Sequence, residues 1–403
     1  LSVESGSERP ASGGGADAGG LMALLRERQE EMAGLLCTLA EAESPSREPA
    51  AQVAMLELLT RELNARGFAA EVLPGQDVGP HLLSYPGDSR PAPGFQLILG
   101  HLDTVWPLGT LERMPVVRRG ERLHGPGVFD MKGGLVQTLF ALDALAELEL
   151  EPARPPLILV CSDEEIGSPD SRTHSVRLAR DAARAFVVEP SFGRSGALKT
   201  ARKGVGRFDL RIHGQASHAG IEPEKGVSAI LELSRQVQRL FELNDRERGI
   251  TVNVGTIDGG LGANVIAPEA VARVEARVPD ASDAERIERQ ILSLEAVEPG
   301  IRIEVRGGFG RPPLERTPRN RQLWESARAA GARLGIDLDE AAVGGASDGN
   351  LASEHTAVLD GMGAVGDGAH APEEHVIVPR MPERAALLAA MLLEPVEDGN
   401  GVG

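Results

Sequence analysis

The chain has 403 residues, 42 Lys and Arg against 60 Asp and Glu, a formal net charge of −18 and only 3% aromatic residues. That length calls for two domains, or one inserted in another, and an acidic chain poor in stacking side chains argues against a nucleic-acid partner. Its two cysteines, Cys37 and Cys161, form neither a disulfide framework nor a Cys-x-x-Cys metal pattern, and no apolar run approaches the roughly 18 residues of a membrane span.

Residues 1–20, LSVESGSERPASGGGADAGG, are Gly, Ser and Ala with scattered charge and read as a disordered tail. They lack the basic start and apolar centre of a secretory signal, so a cytoplasmic location is the expectation, although the chain begins with Leu rather than Met. Apolar residues recurring from Leu21 to Leu39 predict a helix to about Ala42, and a second runs from about Ala50 to Arg66 with Gly67 as its cap. FAAEVL, HLLSY and FQLILG read as strands, the last buried. A helix over 133–148, the strand PPLILVCSD and the short strand AFVVE follow. Strands alternating with helices indicate an α/β domain with a mostly parallel sheet.

The pattern changes after Lys199, where VGRFDLRIHG alternates apolar and polar residues. A helix near 227–243, the strands ITVNVGTI and AVARVEARV, a helix near 284–295 and the strand IRIEVRG complete a βαββαβ order, the α+β ferredoxin-like arrangement. Beyond Pro312 the α/β style returns with a helix near 320–334, strands near TAVLD and GAVG, and a last helix over 383–393. The expected division is a tail at 1–20, an α/β domain at 21–199 and 311–395, and an inserted domain at 200–310. The insert holds 15 basic and 17 acidic residues, so the acidity belongs almost wholly to the α/β part.

Five segments place acidic or imidazole groups just beyond strand ends, where ligands gather in open α/β sheets. They are GHLDTV with His101 and Asp103, GPGVFDMKGG with Asp130, SDEEIGS with Glu164 and Glu165, VVEPS with Glu189, and GDGAHAPEEH with His370. A lone histidine is more often a hydrogen-bonded core residue, and a Glu pair at a strand end is more often surface. Together, though, these groups would leave a cleft of unpaired charge unless a cation fills it. Two His and three carboxylates suit a divalent ion, zinc first and cobalt or manganese as alternatives. Five ligands favour two ions about 3.5 Å apart sharing one carboxylate, an arrangement that lowers the pKa of a water and polarises a carbonyl. Asp103, two residues after His101 on extended backbone, is placed to hold the far imidazole nitrogen. Of the neighbours Glu164 and Glu165, one can bind metal while the other acts as general base.

The motifs HxD, GxxDMKGG, DEExGS, EP and a late GxxxH, in this order, resemble those of the dinuclear zinc exopeptidases and deacylases. That family includes glutamate carboxypeptidase, acetylornithine deacetylase, succinyl-diaminopimelate desuccinylase, aminoacylase and tripeptidase. The likeness covers about residues 25–395 and is nearest to glutamate carboxypeptidase. It implies that Asp130 bridges two metals, that His101 and Glu189 complete one site and Glu165 and His370 the other. Glu164 would be the base and Asp103 its supporting neighbour. The resemblance also implies a cis peptide at Asp130–Met131 and a lid or dimerisation role for the insert.

Within the insert, ASHAG (His218) resembles the histidine that reaches across a dimer to the tetrahedral oxyanion. GGLGANVIAP (Asn264), EARVP (Arg277) and FGRPP (Arg311) resemble readers of a substrate carboxylate or anionic side chain. GGASDGN, with Gly345, Ser347, Asp348, Gly349 and Asn350, falls at the family's Gly-rich substrate loop. The carboxypeptidases have a Lys eight residues after the Glu of EP, where this chain has Ala197 with Arg194 and Lys199 nearby, and this leaves glutamate specificity open. His375 is the alternative to His370, which is preferred for its spacing from Gly366. The implied reaction is hydrolysis of an amide beside a free carboxylate, releasing a C-terminal amino acid such as Glu from a small peptide. N-acyl-amino-acid deacylation is the second reading, and a non-catalytic binding protein of the same fold the third. The implied partners are that small substrate and a second copy of the chain, with neither nucleic acid nor membrane.

Overall fold

Apolar strands that lie between helices set the architecture of the computed structural model, which describes residues 14–396. Among these, one unit comprises 14–200, 317–341 and 355–396, and another 201–316 and 342–354. The first unit contains a six-stranded sheet in the order Phe68–Leu73, His81–Pro86, Pro156–Cys161, Phe95–His101, Ala182–Val187, Ala357–Leu359. The last four of these run parallel and the first two pair antiparallel, so the sheet is mixed. Phe95–His101 and Pro156–Cys161 are buried at every position. This explains their unbroken apolar sequence, since a strand covered on both faces has no polar side to alternate with.

Helices Gly133–Glu147 and Met381–Leu393 are buried along most of their length, with Val136, Phe140, Leu387 and Met391 in the core. A Cβ at Gly134 would stand 1.9 Å from the carbonyl oxygen of Val188, so glycine there lets the helix lie against the strand end that leads into Glu189. The helix expected from Leu21 to Ala42 is two helices, Gly14–Glu27 and Gln29–Glu41, broken at Arg28. Its start corrects the expected disordered tail: residues 14–20 are helical, with Ala18 buried. Leu21, Met22 and Leu25 are buried in the same core, and this helix packs on Met381–Leu393. That apolar burial outweighs the poor helix propensity of the glycines. The remainder of that tail, 1–13, lies outside the described residues. None of the described helices is long and apolar enough to cross a membrane.

In the second unit, Gly204–His213, Thr251–Gly259, Glu269–Val278 and Arg302–Arg311 form an antiparallel sheet, with Glu269–Val278 and Gly204–His213 in the middle. Helices Ala229–Glu242 and Ala281–Leu292 complete the βαββαβ order. Phe208, Leu210 and Ile212 point into a core shared with Leu233, Leu240 and Ile287, while the intervening Arg207, Asp209 and Arg211 are exposed. This is the two-residue period of a half-covered strand. The unit is larger than the 200–310 stretch that the sequence predicts, because it also takes in 311–316 and 342–354. The physical reason is polar: Asn350 donates to the carbonyls of Lys203 and Pro312, at 3.2 and 2.7 Å, and Arg311 pairs with Asp348 at 3.1 Å.

Glu232, fully buried, ties this unit together by accepting from the N–H groups of Val297 and Glu298, each at 3.0 Å, and from Gln236. Burial alone would raise its pKa, but these donors outweigh it and hold the carboxyl below its ordinary value of 4.5. A carboxyl depressed in the fold contributes stability that is complete above its unfolded pKa and is lost as the pH falls through the folded one. Glu232→Gln is expected to cost about 2 kcal/mol at neutral pH and to lower amide-exchange protection at Val297 and Glu298. Wild type is expected to lose that same protection progressively below about pH 4.5. Hydrogen exchange measured from pH 3 to 7 checks both, and protection that ignores pH and substitution alike would refute this account.

Candidate metal centre

Three parallel neighbours end at the same edge of the first unit's sheet, and each delivers chemistry there. His101 closes the Phe95–His101 strand, Glu164 and Glu165 follow Pro156–Cys161 in a short turn of helix, and Glu189 lies two residues beyond Ala182–Val187. Asp130 stands in the irregular turn Val128–Lys132 before helix Gly133–Glu147, and the Asp130–Met131 peptide is cis. His370 follows Gly366–Asp367 and is held at a φ of 62°, the left-handed region that a side chain seldom adopts.

These side chains converge. His101 Nε2 is 3.3 Å from Asp130 Oδ1 and 3.4 Å from Glu189 Oε1. His370 Nε2 is 3.4 Å from Asp130 Oδ2 and 3.1 Å from Glu165 Oε2. Asp130 therefore turns one oxygen to each imidazole. Potential ligand atoms of His101, Asp130 and Glu165 lie within 4.8 Å of one another, as do those of His101, Glu164 and Glu189. The set fits divalent metal on a second count: His101 Nε2 and Asp130 Oδ1 are buried and have no hydrogen-bond partner. Buried polar atoms without partners are rare and point to a missing ligand.

Electrostatics agree with this. Burial works against a charged His101, but Asp103, Asp130 and Glu189 outweigh it and lift its pKa well above the ordinary range. Burial would also raise Asp130, yet His101 and His370 bring it below the usual carboxylate range. Asp130 and Glu165 raise His370 to about 10, while burial raises Glu165 to about 7. The carboxylates that favour a proton on the imidazoles favour a divalent cation for the same Coulombic reason.

Support comes from neighbours. His101 Nδ1 donates to the backbone carbonyl of Asp103 at 2.9 Å, which leaves Nε2 with a lone pair for metal. The Asp103 carboxylate, expected to hold that nitrogen, stands farther off at 3.4 Å. It accepts instead from Ser46 Oγ at 2.6 Å and from the N–H groups of Glu164 and Glu165, each at 3.2 Å. Asp103 therefore orients the glutamate pair at least as much as the imidazole. Lys199 Nζ lies 3.9 Å from Glu189, and Ala197 is buried. His375 donates to the carbonyl of Glu373 and packs on the His124 ring, in neither ligand group.

The remaining predicted residues belong to the second unit. His218 is exposed, and its Nδ1 accepts from the N–H of Gly220 at 3.2 Å, leaving Nε2–H as a donor. Asn264, also exposed, accepts the N–H of Ala219 on its carbonyl. Arg277 donates to the carbonyl of Gly344 at 2.8 Å, and Arg311 to Asp348. The Ser347 side chain caps helix Asp348–Ala352 in a reciprocal box with Asn350. Arg202, which sequence reasoning missed, donates to the carbonyl of Gly345 at 3.1 Å, so three arginines meet the 344–348 loop. Its ARKG context held no signal beyond a basic pair. Glu374 and Trp106 were missed as well: the Glu374 carboxylate accepts the indole N–H and three backbone N–H groups of the Gly127–Asp130 turn. The available signal was an acid four residues after His370.

Residues 97–394 match the model of peptidase family M20/M25/M40. The chain is 28% identical over 307 residues to carboxypeptidase G2 of Pseudomonas sp. (strain RS-16), covering 74% of this chain and 73% of that one. The structure of aminopeptidase PepT from Bacillus cereus matches with a TM-score of 0.71 at 20% identity, over 90% of this chain and 98% of that one. The Bacillus subtilis YXEP protein, described as a dinuclear metal binding peptidase from the M20 family, matches with a TM-score of 0.67 at 15% identity, over 92% and 98%. At such identities the two structures speak for the fold.

Proposed function

Because the chain belongs to peptidase family M20/M25/M40 and is a metal-dependent peptidase or amidohydrolase, we propose that it cleaves an amide bond beside a free carboxylate and releases a C-terminal amino acid. The observation that carries this is Asp130, whose two oxygens face two imidazoles, each imidazole also facing a separate glutamate. In this reading His101 and Glu189 would hold one metal and Glu165 and His370 a second, with Asp130 shared between them. Zinc suits this mixture of nitrogen and oxygen donors. When bound, the pair of cations supplies Lewis-acid polarisation and a nucleophile at neutral pH.

This chain's own residues do the rest. Glu164 takes the proton from the attacking water and passes it to the departing amine. Its N–H, bonded to Asp103, fixes where that carboxylate starts. His218 would donate from Nε2 to the oxyanion of the tetrahedral intermediate. Arg277, Arg311 and Asn264 would bind the substrate carboxylate, with Gly345 and Ser347 shaping the adjoining loop. A homodimer through the second unit, bringing His218 from a partner copy, is part of this reading. Its support is an edge strand, Thr251–Gly259, and exposed Ile221, Ile257 and Leu261 in that unit.

Deacylation of N-acyl amino acids is the second reading. It is favoured by Ala197, which puts a buried methyl group where a cation would read a glutamate side chain.

Glu164→Gln is expected to lower kcat by about a thousandfold or more while metal analysis still finds two ions per chain. Unchanged turnover would remove Glu164 as base, and loss of metal would make it a ligand. A panel of peptidyl-glutamate, other dipeptide and N-acetyl or N-succinyl amino-acid substrates should show its highest kcat/KM on the peptides. Highest kcat/KM on the N-acyl compounds would establish the deacylase instead. Sedimentation should give a dimer that Ile257→Asp converts to monomer, and a wild-type monomer would end the case for a His218 supplied in trans.

A further inference from the structure

Glu374 is fully buried, and neither the ligand set nor the acid–base chemistry uses it. Its Oε1 accepts the N–H groups of Phe129 and Asp130, at 2.9 and 3.0 Å. Its Oε2 accepts the N–H of Gly127 and the indole Nε1–H of Trp106, both at 2.9 Å. An ionised carboxylate offers about four lone-pair sites, and all four are engaged. The amides it binds need such a partner. Gly127 has a φ of 72°, and Asp130 and Met131 have non-helical backbone angles, so the turn has no regular ladder of its own.

The connection to the metal ligands is direct. One of the four donors is the amide of Asp130 itself, and Glu374 lies four residues beyond His370, whose Nε2 faces Asp130 Oδ2. Backbone 370–374, the Glu374 carboxylate and Asp130 thus close a loop on themselves. We propose that Glu374 is a positioning residue for the metal centre: it fixes the backbone at Asp130 so that the aspartate keeps one oxygen toward His101 and the other toward His370. This rests on reading the site as a two-metal centre. Groups behind a ligand that set its direction weaken metal binding about 10- to 100-fold when lost. In this chain that support acts on a ligand's main chain.

Glu374→Gln tests this with little change of shape. Its amide nitrogen would face two N–H donors, so at least two of the four bonds are lost. Zinc would be titrated calorimetrically into metal-free wild type, Glu374→Gln, Asp130→Asn and Arg184→Met. Arg184 donates to the carbonyls of Met391, Glu394 and Pro395 and serves as a control for lowered stability away from the site. Zinc affinity is expected to fall about 10- to 100-fold in Glu374→Gln, to fall at least as far in Asp130→Asn, and to stay at the wild-type value in Arg184→Met. Wild-type affinity in Glu374→Gln, or an equal loss in Arg184→Met, would overturn the assignment. Should Glu374→Gln fail to fold, Trp106→Phe decides: about tenfold weaker zinc binding is expected, and unchanged binding rejects the proposal. Wild type that takes up no zinc would instead sink the metal reading, and this inference with it.

Discussion

Three carboxylates and two imidazoles meet at the carboxyl ends of strands that are buried on both faces, with 3.1 to 3.4 Å between their charges. Buried acids this close repel one another unless protons or cations intervene. Much of the first unit answers that constraint. The strands that carry His101 and the Glu164–Glu165 pair sit in the middle of the sheet, held by the core, so their ends cannot drift apart. Backbone N–H groups are engaged by Asp103 and Glu374, acids placed just behind the candidate ligands. Precision at such a centre depends on the second layer as much as on the first.

His101, the Glu164–Glu165 pair and Glu189, among the candidate ligands and base, were legible because each follows an apolar run, and the run announces a buried strand, whereas Asp130 and His370 follow no such run. LILG precedes His101, LILVCSD precedes the glutamate pair and AFVV precedes Glu189. Parallel strands in an α/β sheet end on one edge, so sequence position translated into spatial convergence. The βαββαβ order of the second unit was legible for the same reason, from the change of period after Lys199. What stayed hidden was carried by polar bonds between distant segments. Glu374 reaches amides about 245 positions away, and nothing in HAPEEH distinguishes it from Glu373. Asp103 was expected to hold His101 by its side chain. It does so by its main chain, a distinction that residue types do not encode.

The same limit governs the second unit. Helical and strand periodicity delimits what packs by apolar burial, and it placed the insert's end near the last strand. The 342–354 segment joins that unit through Asn350, which donates to the carbonyls of Lys203 and Pro312, and through Asp348 and the carbonyls of Gly344 and Gly345, which accept from Arg311, Arg277 and Arg202. Polar joints of this kind leave no period in the sequence. They also explain why a loop expected in the α/β domain lies beside Arg277 and Arg311.

That return of 342–354 bears on how such a chain can be rearranged. An insert entered once and left once can be cut out or exchanged as a single cassette. Here the path passes between the units four times, near 200, 316, 341 and 354. Removing 201–316 alone would strand Asn350 and Asp348 without Pro312 and Arg311, while leaving the short segment tethered at both ends to the α/β unit. Lineages that recombine whole domains would have to move two separate pieces together. The second unit is therefore better placed to change by substitution within its loops than by wholesale replacement.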